Sequence, residues 1–504
     1  MPSTPTNDAR CSRRRLLAGC GAAMPIGLVG LVGCQPASLP ALTPPPRPPA
    51  TAFPRPAAPA RPTPPPLNFL RATGSSIFDV SGKPVTLSGL NWFGMETTTL
   101  APDGLWIRGY RDMLEQMVQA GYNCLRLPFS NDLFNPALKP NGIDFTRNPD
   151  LKGLSGLQIM DTIVVAAGER GMKIFLDQHR PNTGAQSALW YTDHLSQDDW
   201  LTQWRALAER YLGNDAVVGA DLHNEPAGPC TWGSGDPKTD WAIAAELCGN
   251  AILAVNPNWL ILVEGIEKLV DKSGNVLDWT WQGGELMGAR TRPIHLSVPN
   301  RLVYSPHDYG PSVSNQHWFS DPAFPDNLPA FWDQHWAFLK EDGTAPILVG
   351  EFGGPSVGTD TEGLWQRTLV DYIKAKGLHF TYWCWNPNSA DTGGLLEDDW
   401  LTIHPDKQAL LKADLGSDLK NVAPSVVNER AVPPVTGSTG AAPTPATSQP
   451  ARRTYVVQSG DTLSGIAGRV YGDPAAWPRL AAANASWLHD PNLLRPGQTL
   501  TIPS

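Results

Sequence analysis

The feature that most constrains the fold is an alternation of short apolar runs with longer amphipathic segments between residues 84 and 386. Eight runs rich in β-branched and aromatic residues predict strands, and they read PVTLSGLNWFG, YNCLRLPF, MKIFLDQH, VVGADLHNEP, WLILVEG, RLVYSPHDY, PILVGEF and HFTYWCWN. Segments such as GYRDMLEQMVQAG, QIMDTIVVAAGERG and WLTQWRALAERYLG lie between strands and have the apolar spacing of helices. Eight strands that alternate with helices predict an α/β fold, a (β/α)8 or TIM barrel.

Polar side chains stand at the end of nearly every predicted strand, where a hydrophobic core would not place them. They are Arg126, Asp177, His179, Asn224, Glu225, Glu264, His307, Tyr309, Glu351 and Trp383. In a barrel the carboxyl ends of all strands meet at one rim, which is where barrel enzymes carry their chemistry. A doubly wound open sheet is the alternative, but no glycine-rich phosphate turn follows the first strand, so the barrel is favoured.

Charge and aromatic content restrict the partners. The net charge is −9, which argues against nucleic acid as a ligand. The chain has 19 tryptophans, and a flat indole suits the apolar face of a sugar ring. We expect at least half of these indoles to be core residues.

Six motifs carry a resemblance to a known family. NWFG, RLPF, HNEP, HDY, GEFG and WCWNPNSADTGG occur in this order at the predicted strand ends. They resemble the motifs of glycoside hydrolase family 5, in particular its bacterial endo-β-1,4-glucanases, over about residues 68–412. The resemblance implies a retaining glycosidase with Glu225 as acid/base and Glu351 as nucleophile, and it requires neither a metal nor a cofactor.

The chemistry of glycosidic cleavage asks for such a pair. Retention needs one carboxyl group to protonate the leaving oxygen and a second, ~5 to 5.5 Å away, to attack the anomeric carbon. Arg126 and Tyr309 are suited to keep Glu351 ionised, whereas Glu225 should lie in a less compensated site and retain its proton. Glu264, at the end of the fifth strand, remains an alternative acid.

The resemblance also implies residues that bind or orient the substrate. Asn224 is similar to the family residue that hydrogen-bonds the sugar 2-hydroxyl, and His179 and His307 resemble the histidines that orient the glutamates and the substrate. Trp383 is expected to stack beneath a sugar next to the scissile bond. Weaker candidates for the cleft are Trp92, Trp232 and Trp385.

No metal site is predicted. No His or Cys spacing recurs as a zinc set, and Asp391, Asp398 and Asp399 lack the oxygen spacing of an EF-hand loop.

Residues 1–34 are predicted to be a signal peptide with a lipobox. The arginines of SRRRLL precede a short apolar run, as in a twin-arginine signal. That run ends in LVGC, which resembles a bacterial lipobox with Cys34 as the lipidated residue. LAGC at Cys20 has the same pattern but leaves too short an apolar region before it, and an ordinary cleaved signal is the other alternative.

Two linkers separate this leader and a C-terminal module from the catalytic barrel of residues 67–415. Residues 35–66 are dominated by Pro and Ala, a composition that favours an extended stalk, and residues 416–453 form a Pro/Ser/Thr linker. Residues 454–504 contain GDTL and PGQTLTIP and look like a LysM domain, a small α+β module of the order βααβ. The resemblance implies binding of N-acetylglucosamine polymers, hence peptidoglycan in a bacterial envelope.

Four cysteines lie in the predicted barrel. Cys230 and Cys248 are close in sequence, so a disulfide between them is predicted in an exported domain. Cys124 and Cys384 lie within strands, where buried free thiols are favoured over reactive ones, although the sequence leaves their state open.

The sequence therefore predicts a monomeric, retaining, endo-acting hydrolase of β-1,4-glucan. We expect it to be exported and tethered by a lipid anchor to the outer membrane or cell surface, or otherwise secreted. The alternatives are a β-mannanase or xyloglucanase of the same family and a non-catalytic glycan-binding protein. The preferred polysaccharide, the chain-length preference and the side of the envelope that the protein faces are left open.

Overall fold

The structure is a computed structural model, and it describes residues 67–412 apart from Lys272, residues 426–435, and parts of the C-terminal module. The described parts of that module are residues 453–457, 463–471, 479–480, 483–484 and 499–502. The predicted leader 1–34 with Cys34, the linker 35–66 and most of the linker 416–453 lie outside the described residues. None of the helices within the described ranges is long and apolar enough to cross a membrane.

Fifteen strands are present in the described ranges. In chain order they are β1 (Arg71–Thr73), β2 (Ser76–Phe78), β3 (Pro84–Val85), β4 (Ser88–Asn91), β5 (Cys124–Ser130), β6 (Lys173–Arg180), β7 (Val217–Asp221), β8 (Leu260–Val263), β9 (Lys268–Val270), β10 (Val276–Trp279), β11 (Leu302–Tyr304), β12 (Leu348–Val349), β13 (His379–Tyr382), β14 (Arg453–Val456) and β15 (Thr499–Ile502). The eight predicted runs correspond to β4–β8 and β11–β13. The hairpin β9–β10 is an insertion after the fifth barrel strand.

The eight barrel strands form one parallel sheet in the order β11-β8-β7-β6-β5-β4-β13-β12. Each neighbouring pair is parallel, as the intervening helices require. Parallel bridges from Tyr304 to Ile347 and from His307 to Glu351 then join the two ends of the sheet. The barrel is thus nearly closed, and the predicted fold is confirmed.

Nine α-helices accompany these strands. They are α1 (Tyr110–Gln119), α2 (Gly156–Glu169), α3 (Gln197–Arg210), α4 (Trp241–Leu253), α5 (Leu328–Trp332), α6 (Phe338–Glu341), α7 (Thr361–Lys376), α8 (Pro405–Lys412) and α9 (Leu463–Tyr471), all within the part of the chain that the structure describes. Capping boxes begin α2 and α3, where Ser155 and Ser196 exchange hydrogen bonds with the third helical residue. A π-helical turn, Asp333–Ala337, separates α5 from α6.

Buried tryptophans fill much of the space between strands and helices. Ten of them are fully buried, which confirms that at least half of the 19 are core residues. Several also donate a hydrogen bond at the end of a strand: Trp200 and Trp204 each donate to the carbonyl oxygen of Leu222 at 3.1 Å, and Trp241 donates to that of Glu264 at 2.9 Å. The core therefore holds the backbone just below the rim.

The C-terminal module has its own small core. Strands β14 and β15 pair antiparallel, and α9 packs its apolar face toward a cluster that includes Ile466, Leu480 and Leu500. Asn484 connects the segments, because its side chain donates to the carbonyl oxygens of Leu480 and Thr501. The described parts agree with the predicted strand, helix and closing strand.

Candidate active site

The predicted polar residues meet at the carboxyl ends of the barrel strands. Arg126 lies within β5 and His179 within β6, and the remaining residues lie in the first few positions after their strands. They are Asn224 and Glu225 after β7, Glu264 after β8, His307 and Tyr309 after β11, Glu351 after β12 and Trp383 after β13. The barrel thus brings together side chains that are up to 257 positions apart, Arg126 and Trp383 being the extremes.

Arg126 is the fully buried centre of this group. Its guanidinium forms ion pairs with four carboxylates, those of Asp177 at 3.2 Å, Asp221 at 2.8 Å, Glu264 at 3.1 Å and Glu351 at 2.5 Å. Burial raises the pKa of Asp177 to about 7 and that of Asp221 to about 6, against the opposing attraction of the cation. One guanidinium therefore does not hold all four carboxyl groups ionised, and protons are retained in this network near neutral pH.

Glu351 is held at both carboxylate oxygens. Arg126 donates to Oε1, and the Tyr309 hydroxyl donates to Oε2 at 2.6 Å. Burial raises the pKa of Tyr309 well above its ordinary value, so the phenol keeps the proton that it donates. These two donors are the ones that the sequence predicted for this carboxylate, and together they fix the positions of both its oxygens.

Glu225 has a different environment. Its backbone adopts φ +54°, a left-handed conformation that is rare for a residue with a side chain, and its N–H donates to Glu264 Oε2 at 2.7 Å. Its carboxylate accepts a hydrogen bond from Gln186 at 2.7 Å and lies 3.1 Å from His307 Nδ1. Burial raises the pKa of Glu225, and the hydrogen bond from Gln186 lowers it less.

The two glutamates face each other across a short gap. An oxygen of Glu225, an oxygen of Glu351 and a ring nitrogen of His307 all lie within 4.8 Å of one another. Two carboxyl groups at this separation lie in unlike environments, because burial raises the pKa of Glu225 whereas Glu351 is held by a cation and a phenol.

Glu264 lies beneath this gap. Its side chain is fully buried, accepts from the Glu225 backbone and from Arg126, and is 3.4 Å from His307 Nε2. Burial raises its pKa well above the ordinary value. The Glu264 carboxyl group therefore has no exposed surface, and it contacts the backbone of Glu225.

Both histidines are neutral at ordinary pH. Burial lowers the pKa of His179 to about 3 and that of His307 to about 4. His179 Nδ1 lies 2.7 Å from Asp177, and its ring stacks on Trp383 with centroids 5.4 Å apart and an interplanar angle of 8°. His307 contacts Glu225, so both rings orient neighbours without adding charge.

Two further predicted residues have groups that a sugar could contact, one a buried donor without a hydrogen-bond partner among the described residues and the other a partly exposed ring. Asn224 accepts from Arg126 through Oδ1 at 2.9 Å, while its buried Nδ2 has no hydrogen-bond partner among the described residues. Trp383 is partly exposed and stacks on Phe93 as well as on His179. An unpaired donor and a partly exposed indole are the groups that a sugar hydroxyl and a sugar face require.

The prediction that Trp92 binds substrate is wrong. Its indole is fully buried and donates to the carbonyl oxygen of Asp103 at 3.0 Å. Trp385 is also fully buried, and Trp232, of which 7 % is exposed, donates to the carbonyl oxygen of Arg292. These three residues lie outside the strands, and the packing of their rings depends on distant chain segments, which a linear motif does not reveal.

The predicted disulfide between Cys230 and Cys248 is also wrong. Both are buried free thiols, as are Cys124 and Cys384, for which that state was expected. Thr231 pairs with Asp240, which places Cys230 beside the start of α4. Cys248 lies seven residues into that helix, about 10 Å along its axis, which exceeds the reach of a disulfide.

Three sets of side chains in this site have the composition of a metal site. The sets are Asp177, His179 and Glu351; Asp221, Glu264 and His307; and Glu225, His307 and Glu351. Each set contains at least one carboxylate that already forms an ion pair with Arg126. A resident guanidinium supplies the positive charge that an ion would bring, so these sets do not fit a metal as arranged here.

Sequence reasoning missed three residues that the structure adds to the site. Gln186, in the loop after β6, contacts Glu225 directly, and Asn91 accepts a hydrogen bond from Arg126 at 3.0 Å. Asp221 is the closest of Arg126's partners after Glu351. Asn91 and Asp221 stood within the quoted NWFG and DLHNEP stretches, whereas nothing local distinguishes Gln186.

Comparisons with known proteins identify the families of the two domains. Residues 78–389 match the model of the cellulases of glycosyl hydrolase family 5, and residues 455–503 match that of the LysM domain. An endoglucanase of Paenibacillus polymyxa is 54% identical over 68% of this chain and 86% of its own length. The major extracellular endoglucanase of Xanthomonas campestris is 44% identical over 68% of this chain and 70% of its own length.

A solved structure has the same fold. The endocellulase of Pyrococcus horikoshii is 42% identical with a TM-score of 0.65 and covers 69% of this chain and 98% of its own, and it has also been solved with cellotetraose. With the barrel, the facing glutamates and the family match in agreement, the chain belongs to glycosyl hydrolase family 5 and carries a C-terminal LysM domain.

Proposed function

We propose that the chain is a retaining endo-β-1,4-glucanase of the bacterial cell envelope, in which Glu351 is the nucleophile and Glu225 the acid/base. The observation that carries the proposal is the pair of glutamate oxygens within 4.8 Å of each other in unlike environments. Retaining glycosidases place their carboxyl groups ~5 to 5.5 Å apart, whereas inverting ones need ~6.5 to 9.5 Å to admit a water molecule.

In the first step, protonated Glu225 donates its proton to the glycosidic oxygen while Glu351 attacks the anomeric carbon. The bond between carbon and the leaving oxygen breaks, and a bond to Glu351 Oε forms in its place. In the second step, ionised Glu225 takes a proton from water, whose oxygen attacks the same carbon and releases Glu351. The raised pKa of Glu225 supports its first role, and the hydrogen bonds from Arg126 and Tyr309 support the role of Glu351 because they hold both of its oxygens in place.

Asn224 and Trp383 would bind the reacting sugar. The unpartnered Nδ2 of Asn224 is available to the 2-hydroxyl, a contact that strengthens as the ring gains oxocarbenium character. Trp383 offers the partly exposed face of its indole to a neighbouring sugar.

The substrate is proposed to be a β-1,4-glucan of the cellulose type, because relatives at 54% and 44% identity are endoglucanases. A β-mannanase or a xyloglucanase is the alternative, together with a protein that binds glycan without cleaving it. Product analysis on carboxymethylcellulose, barley glucan, mannan, xyloglucan and peptidoglycan separates these alternatives. The internal cuts of an endo-acting enzyme should lower the viscosity of soluble glucan faster than reducing ends accumulate.

The location is proposed from the two ends of the chain. The leader 1–34 supports export, as does the extracellular relative of Xanthomonas campestris, and lipidation of Cys34 would tether the enzyme. The LysM domain would add contact with peptidoglycan.

Azide rescue tests the two glutamates separately. Glu351→Ala should abolish turnover, and azide should then give a glycosyl azide of inverted configuration, because the anion attacks in place of the missing carboxylate. Glu225→Ala should spare an activated aryl cellobioside, whose leaving group needs little protonation, and azide should yield the product of retained configuration. On cellulose, the Glu225→Ala loss should be ~10² to 10⁴-fold or more.

The outcome that contradicts these assignments is specific. Equal losses on activated and natural substrates for Glu225→Ala, with no azide product, would remove this residue from the acid/base role. Circular dichroism of each variant distinguishes such a result from misfolding.

A further inference from the structure

We propose that Asp278, Glu285 and His335 form a binding site for a divalent transition metal, with zinc as the ion that their geometry fits best. Asp278 lies in β10 of the inserted hairpin, Glu285 follows that hairpin, and His335 lies in the π-helical turn between α5 and α6. The three residues take no part in the proposed cleavage reaction, and the site is independent of it.

The distances suit a tetrahedral ion. His335 Nε2 lies 3.5 Å from Asp278 Oδ2 and 3.7 Å from Glu285 Oε2, and all three atoms are within 4.8 Å of one another. Zinc binds nitrogen and carboxylate oxygen at ~2.0 to 2.2 Å, so tetrahedral ligand atoms are roughly 3.3 to 3.6 Å apart. Three protein ligands would leave the fourth position to water.

Two of the three ligand atoms are buried and have no hydrogen-bond partner in the part of the chain that the structure describes. His335 is 3% exposed and Glu285 is 1% exposed, yet His335 Nε2 and Glu285 Oε2 lack a hydrogen bond among the described residues. An unsatisfied polar atom in the interior is costly, and two such acceptors that face each other repel unless a cation or a shared proton lies between them.

In both His335 and Glu285, the second polar atom of the side chain is fixed by a hydrogen bond to the backbone. His335 Nδ1 donates to the carbonyl oxygen of Phe331 at 2.6 Å, so its proton is on Nδ1 and the lone pair of Nε2 is directed at the carboxylates. Glu285 Oε1 accepts the backbone N–H of Met287, which leaves Oε2 for the ion. Metal-binding histidines in general use their second nitrogen in this way.

This set differs from the three sets in the active site in that no arginine or lysine forms an ion pair with its carboxylates within the described ranges. By contrast, Arg126 neutralises the others. Gln334 donates to Asp278 Oδ2 at 3.3 Å, and a carboxylate oxygen with two lone pairs accepts both this bond and an ion. The Asp278 side chain is 28% exposed, which gives an ion a path from solvent.

Such an ion would connect the inserted segment to the turn after α5. Glu285 exchanges backbone hydrogen bonds with Ile266 at 2.9 and 3.0 Å, and Gly283, two residues earlier, lies against Glu225. The metal would therefore stabilise the loop that contains Gly283 and Glu285, which packs against the proposed acid/base Glu225. It would not contact the reacting sugar.

The test uses the full chain, stripped with a chelator and then dialysed. Titration with Co²⁺ should produce the visible absorption bands of a four-coordinate site, and these bands should saturate at one ion per chain. Zn²⁺ should displace the bound Co²⁺ at one ion per chain and raise the Tm of the protein. Glu285→Gln and His335→Asn should each weaken Zn²⁺ binding about 10-fold or more. The exposed His194 provides the control, and His194→Asn should bind as the parent does.

Three results would overturn the proposal. They are no 1:1 binding to the parent chain, unchanged affinity in both ligand variants, and binding that is lost in Glu225→Gln instead. If Glu285→Gln or His335→Asn fails to fold by circular dichroism, Asp278→Asn replaces it, because this partly exposed ligand tolerates an amide, and it should show the same weakened binding.

Discussion

At the residue scale, a single buried guanidinium organises the active site. Arg126 contacts the nucleophile candidate Glu351, the substrate-binding candidate Asn224, and the carboxyl group of Glu264 that fixes the Glu225 backbone. The planar fork of five N–H donors makes these contacts possible at once, and the point charge of a lysine would not reproduce them. The glutamates that we propose as acid and nucleophile therefore share one positioning side chain, directly for Glu351 and through Glu264 for Glu225.

The pH dependence of activity should respond to Gln186. Glu225 must be protonated to donate, so kcat/KM should fall as pH rises through its pKa, which burial places above the ordinary value. Gln186 donates to the carboxylate and thereby lowers that pKa. Gln186→Leu should raise it and move the alkaline limb of the kcat/KM profile on soluble glucan to higher pH.

Gln282 provides the control for this measurement. It lies beside Gln186 without contacting Glu225, so Gln282→Ala should leave the limb in place. A limb that moves to lower pH in Gln186→Leu would show that this side chain does not act on the acid as described.

At the element scale, hydrogen bonds from buried indoles hold the strand ends. Trp200 and Trp204 share the Leu222 carbonyl just before HNEP. Both Trp332 and Trp365 donate to Asp308, at 2.9 and 2.7 Å, between the two site residues His307 and Tyr309. Each indole has a single N–H donor on a rigid ring that is packed in the core. These hydrogen bonds therefore fix the strand ends at the rim relative to the core.

The loop after the inserted hairpin should be sensitive to one added methyl group. Gly283 has φ +75°, and a Cβ there would lie 2.6 Å from Glu264 Oε2 and 3.5 Å from the Glu225 Cα. Gly283→Ala should therefore displace the acid and reduce kcat/KM on the order of 10²-fold. It should also lower the free energy of unfolding by ~1 to 3 kcal/mol.

Gly274 in the turn of the same hairpin is the matched control. It has φ +83° with nothing within 4 Å of an added Cβ. Gly274→Ala should thus cost stability through its backbone alone, ~1 kcal/mol, with unchanged kcat/KM. Equal activity losses in the two variants, measured beside denaturant unfolding, would contradict a specific effect on Glu225.

At the scale of the whole molecule, a barrel of glycosyl hydrolase family 5 is combined with a C-terminal LysM domain. The proposed lipid anchor and the LysM domain would hold the enzyme at its own envelope by two independent contacts. Two weak attachments on one chain reinforce each other through a high effective concentration.

The anchor depends on Cys34. Cys34→Ala should move the protein from the membrane fraction to the soluble fraction with the hydrolytic activity unchanged, because a chain without the acyl groups lacks the apolar anchor. Cys20→Ala, in the other similar motif, should remain with the membranes. Fractionation followed by activity assays measures both, and membrane retention of Cys34→Ala would refute lipidation there.

The LysM domain should supply peptidoglycan binding without affecting catalysis. Deletion of residues 454–504 should abolish co-sedimentation with purified peptidoglycan and leave the rate on soluble glucan intact, because the catalytic groups all lie in the barrel. Equal retention with and without the module would assign that binding elsewhere.

Much of the fold and site was predictable from local pattern. Alternating strands and helices imply a parallel barrel, and its geometry puts every strand end on one rim, so Glu225, Glu351, Arg126 and Tyr309 could be grouped before any coordinates. The family resemblance already ranked Glu225 above Glu264, and the structure adds a physical reason, the complete burial of the Glu264 side chain, which depends on all the neighbouring chain segments.

The tertiary structure decided what depends on direction and on distant contacts. Trp92 is a core residue because its strand end turns the ring inward, and Cys248 is separated from Cys230 by the rise of α4. The set of Asp278, Glu285 and His335 spans 57 positions without a spacing motif, and only packing of the insertion against the π-helical turn unites it. The sequence by itself determined which chemical groups reach the rim, since the period of the apolar residues and the order of strands and helices can be read locally along the chain. Tertiary packing decided how these groups are oriented and solvated, because orientation and solvation depend on residues far apart in the chain.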